Sequence, residues 1–168
     1  MAVTYTSPEI KIRTLAALNA TMQADFYNNG FLPKIPAFRW YNQQLQPGTV
    51  ANNMGAGPCV TVERVSTTRA MNMGGIMNLS LNRIMIKVYD LDSEDARRKA
   101  NDIVNFMGTI DLCSQAQFQS PVGSISQNPS LFVGQRQELL PNPQSPSGPI
   151  WVQVLDFKVY NREDFFFG

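Results

Sequence analysis

Apolar side chains at positions 12, 15, 18, 22 and 26 (Ile12, Leu15, Leu18, Met22, Phe26) recur at intervals of three and four, so a helix places them on one face. Ser7, Pro8 and Glu9 precede this run. A hydroxyl can cap the free amides, a proline costs nothing at the first helical position, and an acid suits the positive end of the dipole. Together with the stop signal Asn28-Asn29-Gly30, the pattern predicts a helix over about 8–27. Further on the period changes to two. Val60 and Val62 alternate with Thr61 and Glu63 in a strand at 59–65, and Ile84, Ile86 and Val88 alternate with Met85, Lys87 and Tyr89 at the end of a run over 76–89. Ile84, Ile86 and Val88 are expected to face the core, and Gly74-Gly75 suggests a hairpin tip or bend between the two strands. The strongest strand signal is Ile150–Tyr160, which implies a sheet with one well-covered side.

The best-organised stretch, RIMIKVYDLDSEDARRKANDIVNFMG (83–108), reads as strand, sharp stop and helix. Asp92 or Ser93 is the cap, Glu94 and Asp95 lie in the first turn, and Gly108 follows the end. Ala96, Ala100, Ile103 and Met107 form a narrow small-residue stripe suited to lying on a sheet. Arg97, Arg98 and Lys99 fall away from it. They can be read as a charge patch facing DNA or a partner, or as an ordinary solvated face, and the second reading is the more economical.

Two stretches break the periodic pattern. Residues 31–58 carry four prolines and an aromatic cluster of Phe31, Phe38, Trp40 and Tyr41, and no charged side chain occurs from Trp40 to Val62. Such a segment is too apolar for a tether and is expected to pack as an irregular arm over the core or against a neighbouring subunit. Residues 114–149 are nearly charge-free and rich in proline and glutamine, with SLFVGQRQELL able to form a short strand or helix. The reading is one domain over 1–168 with extended loops at 31–58 and 114–149, of α+β class, with a mixed or mostly antiparallel sheet and two helices on one face.

Composition then narrows the chemistry. Fourteen basic against thirteen acidic residues leave a net charge of +1, so no whole-molecule field draws the chain to nucleic acid or anionic lipid. Histidine is absent, which removes the commonest general base and nitrogen ligand. Cys59 and Cys113 lack a C-x-x-C partner and read as two small buried thiols, a single bridge between them staying open. The acids of DLDSED (Asp90, Asp92, Glu94, Asp95) could serve a magnesium-dependent nuclease, but capping and dipole compensation explain them more simply. GAGP and MGG do not match a phosphate-binding loop. No catalytic group, metal or cofactor is expected. The start lacks the apolar run of a secretion signal, and no segment approaches the roughly 20 apolar residues of a membrane span, so a soluble chain made in the cytosol is expected.

What remains is an assembly protein. Trp40 and Tyr41, the alternating Met71, Met73 and Met77, and the terminal Phe165, Phe166 and Phe167 are the candidate contacts to other subunits or partners. The order of the elements, a capped amino-terminal helix, a proline-containing crossing, strands, an alternating strand running into DLDSEDARRKANDIVNFM, and a closing strand, resembles the tail terminator or neck proteins of long-tailed bacteriophages. In that family such a strand is followed by a helix that opens on acidic or hydroxyl residues and carries alanines, as Ser93, Glu94, Asp95, Ala96 and Ala100 do here. The resemblance implies a structural virion subunit that forms a ring, commonly of six, at the end of the tail tube. Its implied partners are copies of itself, the tube protein, a sheath protein, the head-completion or adaptor ring, and double-stranded DNA passing without sequence recognition. The segments 31–58 and 114–149 are longer than in small terminators, which leaves a head-tail adaptor, or a monomeric module binding a small ligand or peptide, as alternatives.

Overall fold

The computed structural model describes residues 3–4, 7–28, 37–42, 57–72, 78–113, 130–141, 148–162 and 166–167. Its first helical segment is two helices, α1 (Pro8–Leu18) and α2 (Ala20–Phe26), where the apolar spacing alone predicts one. Asn19 makes the break. Its backbone is extended (φ −91°, ψ 126°), and its side-chain oxygen accepts a hydrogen bond from the Met22 amide at 3.1 Å, so it caps the second helix and ends the first. The turn of axis buries Ile12, Leu15, Met22 and Phe26 but leaves Leu18 exposed. Ser7 does occupy the cap position of α1, but its hydroxyl bonds the Glu9 carboxylate and caps no amide. Glu9 in turn receives Arg64 Nε at 3.0 Å, which ties α1 to the sheet.

Short strands β1 (Val3–Thr4), β2 (Tyr27–Asn28), β3 (Ala37–Phe38) and β4 (Trp40–Tyr41) precede two long ones, β5 (Cys59–Asn72) and β6 (Asn78–Asp90). Helix α3 (Ser93–Met107) follows, then β7 (Leu131–Leu140), β8 (Ile150–Arg162) and β9 (Phe166–Phe167). The main sheet runs β4-β5-β6-β8-β7, with β4 parallel to β5 and every other pair antiparallel. Two further two-stranded pairs are β1 with β9 and β2 with β3. The fold is α+β, with a mixed five-stranded sheet and three helices among the described residues.

Register explains where the core lies. Val62, Ile86 and Leu155 stand side by side across three strands, as do Ile84 and Phe157, so the alternation expected from the sequence points one row of branched side chains at the helices. Against that row pack Ile12, Leu15, Met22 and Phe26 from α1 and α2, and Ala100, Ile103, Phe106 and Met107 from α3. The opposite face carries a second, smaller cluster of Cys59, Tyr89, Ile150, Val152 and Val154. The sheet is thus apolar on both sides at its centre, more than a sheet with one covered side would need.

α3 is built as its sequence indicates. Asp92 is the cap, its Oδ2 accepting from the Asp95 amide at 3.1 Å, and Gly108 follows the last turn in right-handed conformation. The Ala96, Ala100, Ile103, Met107 stripe is fully buried. β7, which the sequence left as strand or helix, is an edge strand with a bulge between Phe132 and Gly134.

Candidate interaction surfaces

The aromatic cluster expected to anchor a neighbour is partly consumed inside the chain. Trp40 is 1 % exposed and belongs to the main core. Its indole meets Phe26 and Phe106 edge-on at 5.8 and 6.1 Å between ring centres and stacks on Phe38 at 5.9 Å. The Arg13 guanidinium lies over Phe38 at 5.6 Å, and its Nε donates to the Trp40 carbonyl at 2.9 Å. The pairing of β4 with the start of β5 places this ring between α2 and α3, so Trp40 locks the arm to its own subunit and is not offered to another. Tyr41 faces the other side of the sheet, half-buried against the second cluster.

The three basic residues of the expected patch are each paired with an acid. Lys99 is buried, its Nζ 2.7 Å from Asp90 Oδ2, while the other oxygen of Asp90 accepts from the amides of Leu91 and Asp92 at 2.7 and 3.3 Å. The lysine therefore closes the turn between β6 and α3. Arg98 reaches across to Asp25 on α2 at 3.0 Å and to Asp102 at 3.3 Å, and Arg97 pairs with Glu94 at 3.5 Å. Arg97 and Arg98 both keep more than half of their side-chain surface exposed, but each is paired with an acid, which leaves little net charge for counterion-driven binding to a phosphate chain. The same contacts account for the acids of DLDSED as capping and ion-pair groups. Among the described residues no cluster of three or more His, Cys, Asp or Glu side chains is placed to hold a metal ion.

Two carboxylates meet between α2 and α3, Asp25 well buried and Asp102 a quarter exposed. Asp25 Oδ1 takes the Arg98 bond, and its Oδ2 has no hydrogen-bond partner although the side chain is 7 % exposed. Asp102 stands beside it, its carboxyl pushed up to about 6 by burial and by the Asp25 carboxylate, which favours a protonated neighbour, with Arg98 and Lys99 acting in the opposite direction. The fold therefore favours the protonated form of Asp102 over its ordinary carboxylate. Asp102 also lines a cleft of about 210 Å³ with Asn19, Thr21, Asn105, Phe106 and Thr109. Ligand pockets run to about 300–1,000 Å³, so this cleft is small for an organic ligand.

Sequence reasoning also missed Lys11, which lies among apolar neighbours on α1 yet is fully buried. Its ammonium donates to Asn161 Oδ1 at 2.8 Å and to the carbonyls of Leu112 (3.2 Å) and Arg162, fastening α1 to the end of β8. A buried polar ladder continues from Asn161 through Ser80 and Asn82 to Thr67. Lysine on the apolar side of a predicted helix is the one signal that could have revealed it.

The terminal phenylalanines are held by the chain's own start: Phe166 pairs with Thr4 and Phe167 with Val3. Met71 pairs with Leu79 near the end of β5, beyond a second bulge, while Met73, Met77 and Phe165 lie outside the described residues. Both cysteines are free thiols, Cys59 buried and Cys113 partly so.

Four of the exposed large apolar side chains among the described residues lie on β7. Leu131, Phe132, Val133 and Leu139 are exposed on this last strand of the sheet, although Phe132 keeps one side against Phe157, 5.5 Å away. No helix among the described residues is long and apolar enough to cross a membrane.

No protein-family model matches the chain, and no curated protein does. Among solved structures, a chain of the "Virion of native gene transfer agent (GTA) particle" superposes with a TM-score of 0.46 at 12 % identity, over 93 % of this chain and 95 % of that one.

Proposed function

We propose that this chain is a structural virion subunit of phage type, a ring-forming component of the neck that ends the tail tube and joins it to the head-completion ring. The observation that carries the reading is the order of elements. A helix opening on Ser7-Pro8-Glu9, a long antiparallel pair, a strand passing through an acidic turn into the alanine-striped α3, and the closing β8 follow the sequence of parts on which the resemblance to tail terminators rests. In this reading the sheet and its three helices are the rigid body and the protein does no covalent chemistry. Asp92 is spent on capping, Asp90 and Lys99 on an interior ion pair, and Lys11 on interior hydrogen bonds. Copies of the chain and the tube protein are the principal partners, and DNA passes without being read. A balanced charge suits that passage, because each additional phosphate contact of a basic lining would retain the DNA.

The test is localisation and stoichiometry. Cryo-electron microscopy of particles carrying a tagged copy should show the chain as a closed ring, of six copies in the terminator form, at the junction of head and tail. Density elsewhere in the particle, or a purified chain that never assembles into rings with tube protein present, would overturn it.

A further inference from the structure

β7 is ten residues long and pairs with β8 on one side; among the described residues it is the outermost strand. A strand in that position presents a row of unpaired N–H and C=O groups, which natural sheets blunt by shortness, proline, lysine or a bulge. β7 contains neither proline nor lysine, and its bulge sits at the Phe132 end, leaving Gln135–Leu140 regular. Within that regular stretch the sequence is self-complementary. Arg136 and Glu138 flank Gln137 and lie on the same face of the sheet, opposite Val154 and Val152 of β8.

We infer that β7 pairs antiparallel with β7 of a second copy, across a two-fold axis through Gln137, to join two five-stranded sheets into one. The axis is normal to the sheet, so the helices of both copies lie on one side and only residues of the same face stand opposite each other. Centred on Gln137, Arg136 of one copy meets Glu138 of the other twice, and Leu139 meets Gln135. A centre at Arg136 would set arginine against arginine, and one at Glu138 glutamate against glutamate, which disfavours the neighbouring registers. In the single chain Arg136 already leans towards this acid, with Nε 3.2 Å from Glu138 Oε1, and it also touches Asp156 at 3.6 Å. Both Arg136 and Glu138 stay more than a third exposed, free to share their charges with a second strand. The contact closes at two copies and is argued from the β7 edge alone, so it stands or falls independently of the neck reading. A strand-edge contact is small, and the pair is expected to dissociate on dilution.

Sedimentation velocity on the full chain over a concentration series tests this. The wild type should show a monomer–dimer equilibrium. Arg136→Glu, which sets glutamate opposite glutamate, and Glu138→Arg, which sets arginine opposite arginine, should each raise the dissociation constant about tenfold or more. The double exchange R136E/E138R should return it to within about threefold of wild type, since opposite charges face each other again. Glu138→Arg leaves the Arg136–Asp156 contact in place, so it remains informative should Arg136→Glu disturb the fold, and circular dichroism checks each variant. A wild type that stays monomeric up to about 0.5 mM overturns the proposal. So does self-association of any size that is indifferent to Glu138→Arg, a result that would leave a ring contact elsewhere intact.

Discussion

Lys99 Nζ lies 2.7 Å from Asp90 Oδ2, and both side chains are about nine-tenths buried. Nine residues apart in sequence, they join the last residue of β6 to the second turn of α3 and make the strand–turn–helix unit one rigid piece. Breaking such a pair from one side strands a charge in the interior and costs about 3–5 kcal/mol, whereas removing both charges costs much less. Lys99→Met and Asp90→Asn should therefore each lower unfolding stability strongly. In the double variant the asparagine oxygen that replaces the carboxylate still accepts from the Leu91 and Asp92 amides, and the loss should fall short of the sum of the single losses by about 1–3 kcal/mol. Urea unfolding of the four proteins measures this, and additivity would show that the pair contributes no coupling.

Trp40 is the keystone of the arm, but its indole Nε1 has no hydrogen-bond partner. Truncating it to alanine removes contacts to Phe26, Phe38 and Phe106 together and should cost about 3–5 kcal/mol. Phenylalanine keeps most of the ring contact and removes a buried donor that pairs with nothing, so Trp40→Phe should cost under about 2 kcal/mol. Equal losses in the two variants, read from thermal or urea unfolding, would mean that the indole's polar edge matters after all.

Both results bear on what the sequence could reveal. The alternation at 84–88 locates the core face of the sheet, and the alanine stripe locates the buried face of α3, because burial against a sheet imposes period two on one partner and three-to-four on the other. The helix break at Asn19 leaves no mark on the hydrophobic pattern, because the residue keeps the apolar spacing in phase while capping a second helix. Charge was the poorer guide. Arg97, Arg98 and Lys99 look alike in sequence, yet their fates depend on Asp25, 73 residues from Arg98, and on whether a side chain can reach back to Asp90. An aromatic pair in a proline-rich segment is equally ambiguous. Only the parallel pairing of Trp40 with Val60 decides that the indole turns inwards.

The thiols offer a check on burial. Cys59 is held up at about 11, chiefly by burial, with Arg39 opposing, and Cys113 is raised to about 11 by burial and by Asp111. Reaction with thiol reagents requires the thiolate, so at pH 8 both should label at least about 100-fold more slowly in the native chain than in denaturant. Cys113, being only partly buried, should be the faster of the two. Rapid native labelling of Cys59 would show that the second face of the sheet opens readily.

The Asp25–Asp102 pair predicts an inverted pH dependence. In the unfolded chain Asp102 titrates near the ordinary carboxyl value of about 4, and in the fold near 6. Between those values the folded protein keeps a proton that the unfolded chain has released, so the stabilising contribution is complete below about pH 4 and is lost as pH rises through 6. A salt-bridged acid with a depressed value would behave in the opposite sense. The groups facing Asp102 are Asp25 from α2 and Arg98 and Lys99 from its own helix, and the two cations limit the effect. The full shift corresponds to about 3 kcal/mol, and about 1–2 kcal/mol is the more realistic size for a side chain a quarter exposed. Asp102→Asn supplies a permanent donor to Asp25 and should flatten the curve between pH 4 and 7 while stabilising the protein at pH 7.5. Urea midpoints across that range, wild type against variant, decide the matter. Parallel curves would mean that no proton is shared between the two helices.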